Sequence, residues 1–232
     1  MILGAGRGTR LGELGTRVPK ILVDVGGRPL LQRQLCYLAR EGVTRVVVNA
    51  HHLSESVVDF AAAYSGPVAV EVIEERELLG TAGGVRNALH LLGPHAFYVL
   101  YGDVVVDAPL RPVLDEHRRS GAAATVTVYE TDEIEGKGTV EVDDDGRVLG
   151  FHEKSPDVRP PALVNAGIYV VEANLLERWP QGAELDFGHD VFPDALRRGE
   201  RLQAARLPAA VIDVGTPAGL DEARRRARAH DG

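Results

Sequence analysis

Cysteine, lysine and long apolar runs are what this chain has least of, and each shortage removes a class of function. The single cysteine among 232 residues, Cys36, rules out an intramolecular disulfide and a cysteine-held zinc. Cys36 is expected in the core, and a reduced, cytoplasmic setting fits. No apolar stretch approaches the ~20 residues that a membrane span needs. Met1-Ile2-Leu3 stops at Gly4, far short of a signal-peptide hydrophobic segment. Gly-Lys-Ser/Thr occurs nowhere, so there is no Walker A loop. The histidines at 51, 52, 90, 95, 117, 152, 189 and 230 lack metal-ligand spacing and are assigned no chemistry. Internal repeats and low-complexity tracts are absent. A formal charge of −8 argues against a nucleic-acid binder working through a broad basic face, while a local basic pocket for a small phosphate ligand stays compatible.

What is present is ordinary for one α/β domain: 44% hydrophobic and 26% charged residues, enough to bury a substantial core. The unusual stretch is the first twenty residues. Met1-Ile2-Leu3 reads as a very short strand that breaks into a loop with Gly4, Gly6, Gly8, Gly12 and Gly15 and ends at Pro19-Lys20. Glycine lets backbone N–H groups point at an anion, because no Cβ holds the ligand away and positive φ is accessible. Arg7, Arg10, Arg17 and Lys20 add positive charge, so the segment suits a triphosphate. A dinucleotide fingerprint is a poor fit, since position nine is Thr9 and two more glycines and a proline follow.

Further along, Ile21–Val25 reads as a strand, and Pro29 opens a helix carrying Leu31, Leu35 and Leu38 and closed by Gly42. Val43–Asn49 is a β-branched strand, Ser54–Tyr64 a helix with Ser54 as N-cap, and Val68–Ile73 a further strand. This alternation implies a Rossmann-like, doubly wound, mostly parallel sheet. Gly80-Thr81-Ala82-Gly83 follows the Val68–Ile73 strand, either as a helix cap or as part of the ligand crevice beyond the strands' carboxyl ends. Ala96–Tyr101 ends in Gly102-Asp103. That aspartate suits either a turn or an oxygen site for Mg²⁺. Helix Pro109–Ser120 and strand Ala122–Tyr129 precede a hairpin of Thr139–Val142 and Arg147–Glu153, which inserts around the solvated Asp143–Gly146 turn. Leu163–Val171 is another strand, 184–196 opens a structural helix, and Ala209–Val214 precedes a last helix. The run Arg224, Arg225, Arg226 and Arg228 on that helix reads as a solvated face.

Leu3 to Lys20 followed by Ile21 to Leu31, with its Gly27-Arg28-Pro29-Leu30, resembles the signature of sugar-1-phosphate nucleotidylyltransferases: G-x-G-T-R-L, then P-K, then Gly-Lys/Arg-Pro-Leu. The similarity continues through Leu79-Gly-Thr-Ala-Gly83, Gly102-Asp103, Glu153-Lys154, Asn165-Ala-Gly167 and Asp213-Val-Gly-Thr-Pro217. It implies a GT-A-like fold, a nucleotide-binding half over 1–108 and a sugar-phosphate half over 109–232. It further implies nucleotide contacts from Leu3, Gly4, Ala5, Gly6, Arg7, Gly8, Thr9, Gly80, Thr81, Ala82 and Gly83. Sugar-phosphate contacts would come from Gly138, Glu153, Lys154, Asn165 and Gly167. Glu153-Lys154 taken alone also reads as a surface ion pair. The resemblance makes Asp103 and Asp213 the Mg²⁺ ligands. It also implies that relatives carry a few more residues ahead of the first strand, and that this chain has no room for a C-terminal β-helix.

The expected reaction joins a nucleoside triphosphate to a sugar 1-phosphate, giving a nucleoside diphosphate sugar and pyrophosphate. Arg10 and Lys20 stabilise the reacting phosphates. The Leu-Gly-Thr-Ala-Gly-Gly segment is most similar to guanylyltransferases for mannose or heptose 1-phosphate. Uridylyl or cytidylyl transfer to another acceptor and a non-catalytic regulatory subunit are the alternatives. No nucleic-acid or membrane partner is expected, and a homo-oligomer is left open.

Overall fold

The computed structural model describes residues 1–153, 158–208 and 211–230. In chain order the first elements are β1 (Ile2–Leu3), α1 (Glu13–Arg17), α2 (Leu30–Arg40), β2 (Arg45–Ala50), α3 (Ser54–Ala63) and β3 (Ala69–Glu74). Then come α4 (Gly80–Leu92), β4 (Phe97–Tyr101), β5 (Val104–Val105), α5 (Arg111–Ser120), β6 (Ala124–Thr131), β7 (Gly138–Val142) and β8 (Val148–Glu153). The last are β9 (Ala162–Val171), α6 (Ala173–Glu177), a π-helical turn (Phe187–Val191) running into α7 (Phe192–Arg197), β10 (Leu202–Arg206), β11 (Ile212–Asp213) and α8 (Pro217–His230). The fold is α/β with a mixed, mostly parallel sheet. Among the described residues no helix is long and apolar enough to cross a membrane.

Two compact units divide the chain. The first joins Met1–Leu78, Leu100–Asp107 and Val211–Gly232; the second joins Leu79–Val99 and Ala108–Ala210. The carboxyl-terminal stretch, which lies in the sequence half expected to bind sugar phosphate, thus folds with the amino-terminal loop.

In the first unit β1 is central. Ile2 pairs in parallel with Val48 of β2 and Leu100 of β4, and Leu3 with Asn49 and Tyr101. The chain runs from β1 to β2 to β3 in one direction, then returns on the other side of β1 as β4. The strand order therefore reverses between β1 and β4, the position where open α/β sheets bind ligands beyond their carboxyl ends. β1 leads there into the glycine loop, and β4 into Gly102-Asp103. Beside them β5 and β11 form an antiparallel ribbon that pairs Val104 with Asp213 and Val105 with Ile212. It rests on a core of Leu11, Val23, Val25, Leu30, Ile212, Val214, Leu220, Ala223 and Ala227.

In the second unit β10 runs parallel to β6, β6 runs antiparallel to β9, and the β7–β8 hairpin joins β9 through Thr139 and Val164. Phe151, Tyr169, Phe187 and Phe192 pack ring against ring, with centroids 4.9–5.2 Å apart.

Several expectations are corrected. Ile21–Val25 is not a strand: Lys20–Leu22 makes a 3₁₀ turn, and Val23 and Val25 bond to their own hairpin-like bend through Leu30 N–H and Arg28 C=O. Ile21, Val23 and Val25 are all buried, so the alternating pattern is real, but the backbone closes on itself instead of joining a neighbouring strand. Ser54 does not cap its helix; its hydroxyl donates to Glu74 Oε2 at 2.6 Å, and Leu53, at φ +53°, precedes the first turn. Cys36 is half-buried and not fully in the core. The final strand shrinks to Ile212–Asp213, while β10 and α6 were not anticipated.

Leu220 ties α8 to the ribbon that carries Asp213. Leu220→Ala should therefore lower the unfolding free energy by about 2–5 kcal/mol, measurable in urea titrations.

Candidate active site

Beyond β1 the glycine loop is open. Gly6, Arg7, Thr9 and Arg10 are exposed, and among the described residues the N–H groups of Gly6, Arg7 and Gly8 have no protein partner. Gly8 adopts φ +65°, which glycine accepts without strain, and its carbonyl takes the Leu11 N–H at 2.9 Å. A Cβ on Gly15 would strike that same carbonyl, so the loop closes tightly on α1.

Asp103 follows the end of β4 at a turn clamped from α2. Gln34 Nε2 donates to Tyr101 O at 3.0 Å and to Val104 O at 2.9 Å. Gly102 N–H donates to Leu3 O at 2.9 Å, and a side chain at Gly102 would collide there. Val214 N–H donates to Asp103 O at 2.7 Å, which brings β11 alongside and sets Asp213 next to Asp103. Two cations meet these two carboxylates. Lys20 Nζ contacts Asp103 Oδ2. Arg10 spans both acids, with Nη1 3.1 Å from Asp213 Oδ2 and Nη2 3.9 Å from Asp103 Oδ2. Asp103 and Lys20 are largely buried, at 17% and 14% exposure, whereas Arg10 and Asp213 face solvent.

Gly215 completes the cluster. Its N–H donates to Asp213 Oδ1 at 2.7 Å. A Cβ there would lie 2.7 Å from Asp213 Oδ1, 2.7 Å from Lys20 Nζ and 2.8 Å from Arg10 Nη2.

For a divalent cation the donor set fits. Mg²⁺ takes one or two carboxylates and fills its remaining positions with water and phosphate oxygens. Among the described residues no group of three or more His, Cys, Asp or Glu forms a dedicated cage. Asp103 and Asp213 supply two hard carboxylates beside an open loop of free N–H groups.

Leu3, Gly4 and Ala5, also expected to contact nucleotide, lead into this loop in the first unit, with Ala5 buried, and the remaining expected residues lie in the second unit. Gly80, at φ +72°, begins α4 against the backbone of Leu185, whose carbonyl accepts from Ala82 N–H at 2.9 Å and Gly83 N–H at 3.1 Å. The Thr81 hydroxyl donates to Asp186 Oδ2 at 2.8 Å and accepts from Phe187 N–H at 3.0 Å. This turn is thus fastened to 185–187. Asn165 and Gly167 form a bulge in β9: Gly167 has φ +72°, its N–H donates to Asn165 Oδ1 at 2.9 Å, and Asn165 Nδ2 donates to Tyr169 Oη at 2.7 Å. Gly138 pairs across the hairpin with Glu153. Lys154 and the side chain of Glu153 lie outside the described residues.

Sequence reasoning missed Asn49 and Gly215. Asn49 carried a signal, an amide ending a Val-Val-Val run in a strand, where asparagine is disfavoured. Gly215 had none beyond its place after Asp213.

With this geometry in hand, the family model described as nucleotidyl transferase matches residues 1–229, and the chain belongs to that family. A mannose-1-phosphate guanylyltransferase of Mycobacterium tuberculosis is 32% identical, the match covering 94% of this chain and 61% of that protein. A UTP–glucose-1-phosphate uridylyltransferase of Synechocystis is 30% identical over 93% of this chain and 59% of that protein. The chain thus spans about three fifths of the length of the curated relatives it matches. Among solved structures, HddC from Yersinia pseudotuberculosis superposes with a TM-score of 0.85 at 26% identity over 97% of both chains. The same protein complexed with GMP-PN gives a TM-score of 0.83.

The crowding around Gly215 gives a direct test. Gly215→Ala should displace Lys20 from Asp103 and Arg10 from Asp213 and cut turnover by about 10²-fold, with the circular dichroism spectrum unchanged. Full activity in this variant would separate Gly215 from the site.

Proposed function

We propose that this chain is a sugar-1-phosphate nucleotidylyltransferase, with GTP as first choice of nucleotide and mannose 1-phosphate or D-glycero-D-manno-heptose 1-phosphate as acceptor. The observation that carries the reading is the meeting of Asp103, Asp213, Arg10 and Lys20 beside a loop with free N–H groups. The guanylyltransferase name of the Mycobacterium relative and the GMP-PN complex of HddC support guanosine; the Synechocystis relative supports uridine as the second reading.

In the proposed reaction a phosphate oxygen of the sugar 1-phosphate attacks the α-phosphorus in line. The new P–O bond forms as the bond to the β-phosphate breaks, and pyrophosphate leaves with that electron pair. The attacking group is already an anion, so no side-chain nucleophile is needed, and catalysis is positioning plus charge neutralisation. The N–H groups of Gly6 to Gly8 would hold the β- and γ-phosphates. Arg10 and Lys20 would release their carboxylates to neutralise the α-phosphate and the departing pyrophosphate. Mg²⁺ would be held by Asp103 and Asp213 and, when bound, supplies further charge neutralisation on the phosphates. In the second unit, Asn165, Gly167, Gly138, Glu153 and Lys154 would serve the sugar phosphate.

Pyrophosphate release, measured with Mg²⁺ for ATP, CTP, GTP, UTP and dTTP against mannose, glucose, N-acetylglucosamine and heptose 1-phosphates, should give activity with GTP and a manno-configured sugar. Activity with UTP and glucose 1-phosphate alone would establish the second reading. Bound nucleotide without turnover in any combination would point to a regulatory subunit.

In the active combination, Arg10→Ala and Lys20→Ala should each lower kcat by roughly 10²–10³. Asp103→Asn should abolish Mg²⁺-dependent turnover and leave the fold intact. Near-normal kcat in the two cation variants would remove Arg10 and Lys20 from the chemistry.

A further inference from the structure

The glycine loop is held at both ends by one short segment to which no role has been given, Asn49 to His52. At the start, Gly4 N–H donates to Asn49 Oδ1 at 2.8 Å. Asn49 Nδ2 in turn donates to Glu75 Oε1 at 2.7 Å. Asn49 is 1% exposed and Glu75 6%, so this chain of hydrogen bonds is closed to water. A Cβ on Gly4 would come within 2.7 Å of Asn49 O, so the loop leaves β1 pressed against the end of β2. At the far end, His52 Nε2 lies 3.1 Å from Gly15 O; a carbonyl only accepts, so this nitrogen carries the proton.

Glu75 is itself fixed to the same segment. Its N–H donates to Ala50 O at 2.8 Å, and its carbonyl accepts from His51 Nδ1 at 2.9 Å. Its carboxylate oxygen can only accept and the Gly4 N–H can only donate, so the two together set which way round the Asn49 amide sits: nitrogen toward Glu75, oxygen toward Gly4. The first loop amide is thus linked through Asn49 to a buried acid more than seventy residues downstream.

We infer that Asn49, oriented by Glu75, is a positioning residue for the phosphate loop. It fixes the plane of the peptide entering Gly4, and with it where the free N–H groups of Gly6, Arg7 and Gly8 point. It touches neither substrate nor metal, and its effect falls on nucleotide affinity. The inference rests on the proposed nucleotidylyltransferase reading.

The test uses the full chain, Mg²⁺ and GTP, or the triphosphate that the wild-type protein turns over. Asn49→Ala should raise the nucleotide Kd in calorimetric titration by roughly 10–100-fold, because misplacing a positioned group by about 1 Å costs up to this order. The KM for sugar 1-phosphate at saturating nucleotide should change little. A truncation could also act by harming the fold, so an exchange of hydrogen-bond roles provides the second measurement. Asn49→Asp alone sets two carboxylates face to face and should weaken nucleotide binding at least as much. Asn49→Asp combined with Glu75→Gln restores one acceptor toward Gly4 and one donor–acceptor pair between the two side chains, and should recover most of the lost affinity.

Recovery in the double variant supports the positioning role, because a generic packing effect would not be reversed by a second substitution. An unchanged nucleotide Kd in folded Asn49→Ala, or a double variant no better than Asn49→Asp, overturns the inference while leaving the enzyme reading intact. A wild-type chain that binds no nucleotide overturns the enzyme reading and this inference with it.

Discussion

Asp103 and Asp213 stand side by side although 110 positions separate them in the chain, and two neighbouring carboxylates repel unless something answers their charge. Lys20 and Arg10 answer it. The Asp103–Lys20 pair is largely shielded from water, where losing one partner leaves an uncompensated charge and costs far more than losing an exposed pair. Much of the first unit is explained by the need to hold these four groups. The β5–β11 ribbon fixes the two acids, Gln34 clamps the turn that carries Asp103, and Gly215 leaves room for the cations. Close packing of α8 holds the ribbon from below: a Cβ at Gly219 would overlap Asp213 O. The same four charges also suit the proposed ligands. Arrival of phosphates and a divalent cation would exchange partners, cations to phosphate and carboxylates to metal, without leaving any of the four unpaired.

That cluster lies where it does because of strand order. β1 has β2 on one side and β4 on the other, and the crossovers leave in opposite directions. Two strand ends then diverge beyond the sheet and create a crevice whose walls are whatever follows each strand. After β1 comes a loop with almost no side-chain bulk and free amides; after β4 comes glycine, then aspartate. Donors for an anion and acceptors for a cation therefore sit at neighbouring exits of one sheet. Such an arrangement suits metal-assisted phosphoryl chemistry.

Much of this was legible in the sequence because it is written in residue types with narrow uses. Five glycines among four cations, and aspartates directly after apolar strands, each carry a local physical signature. What escaped depended on distant partners. The alternation of Ile21, Val23 and Val25 was read as a strand, yet Val23 and Val25 pack with Leu30 of α2 and with Leu220, Ala223 and Ala227 of α8, Ile21 lies against Gly4 and Gly102, and the backbone bonds to its own bend. β10, Leu-Gln-Ala-Ala-Arg, lacks the β-branched residues that mark a strand; it exists because five successive residues pair with β6. Ser54 looked like a cap, but Glu74 on the adjacent strand is a stronger acceptor for its hydroxyl than a helix terminus is a donor to it. Gly215 was invisible as a site residue because its contribution is the volume it does not occupy.

The choice of base was the least legible part, and the geometry explains why. Backbone amides read a phosphate without regard to the nucleoside attached, so the loop after β1 would serve guanosine and uridine nucleotides alike. Relatives bearing guanylyl and uridylyl names at 32% and 30% identity are what such a loop allows. Selection has to come from groups outside it. In the Gly80–Gly83 turn, the amides of Ala82 and Gly83 are committed to Leu185 O, and the Thr81 hydroxyl is committed to Asp186 and Phe187. With these groups engaged, what the turn offers a base edge is its remaining backbone groups, and every residue type carries those. Residue types in the motif therefore do not report the base, and a motif match alone identifies the chemistry before the substrate.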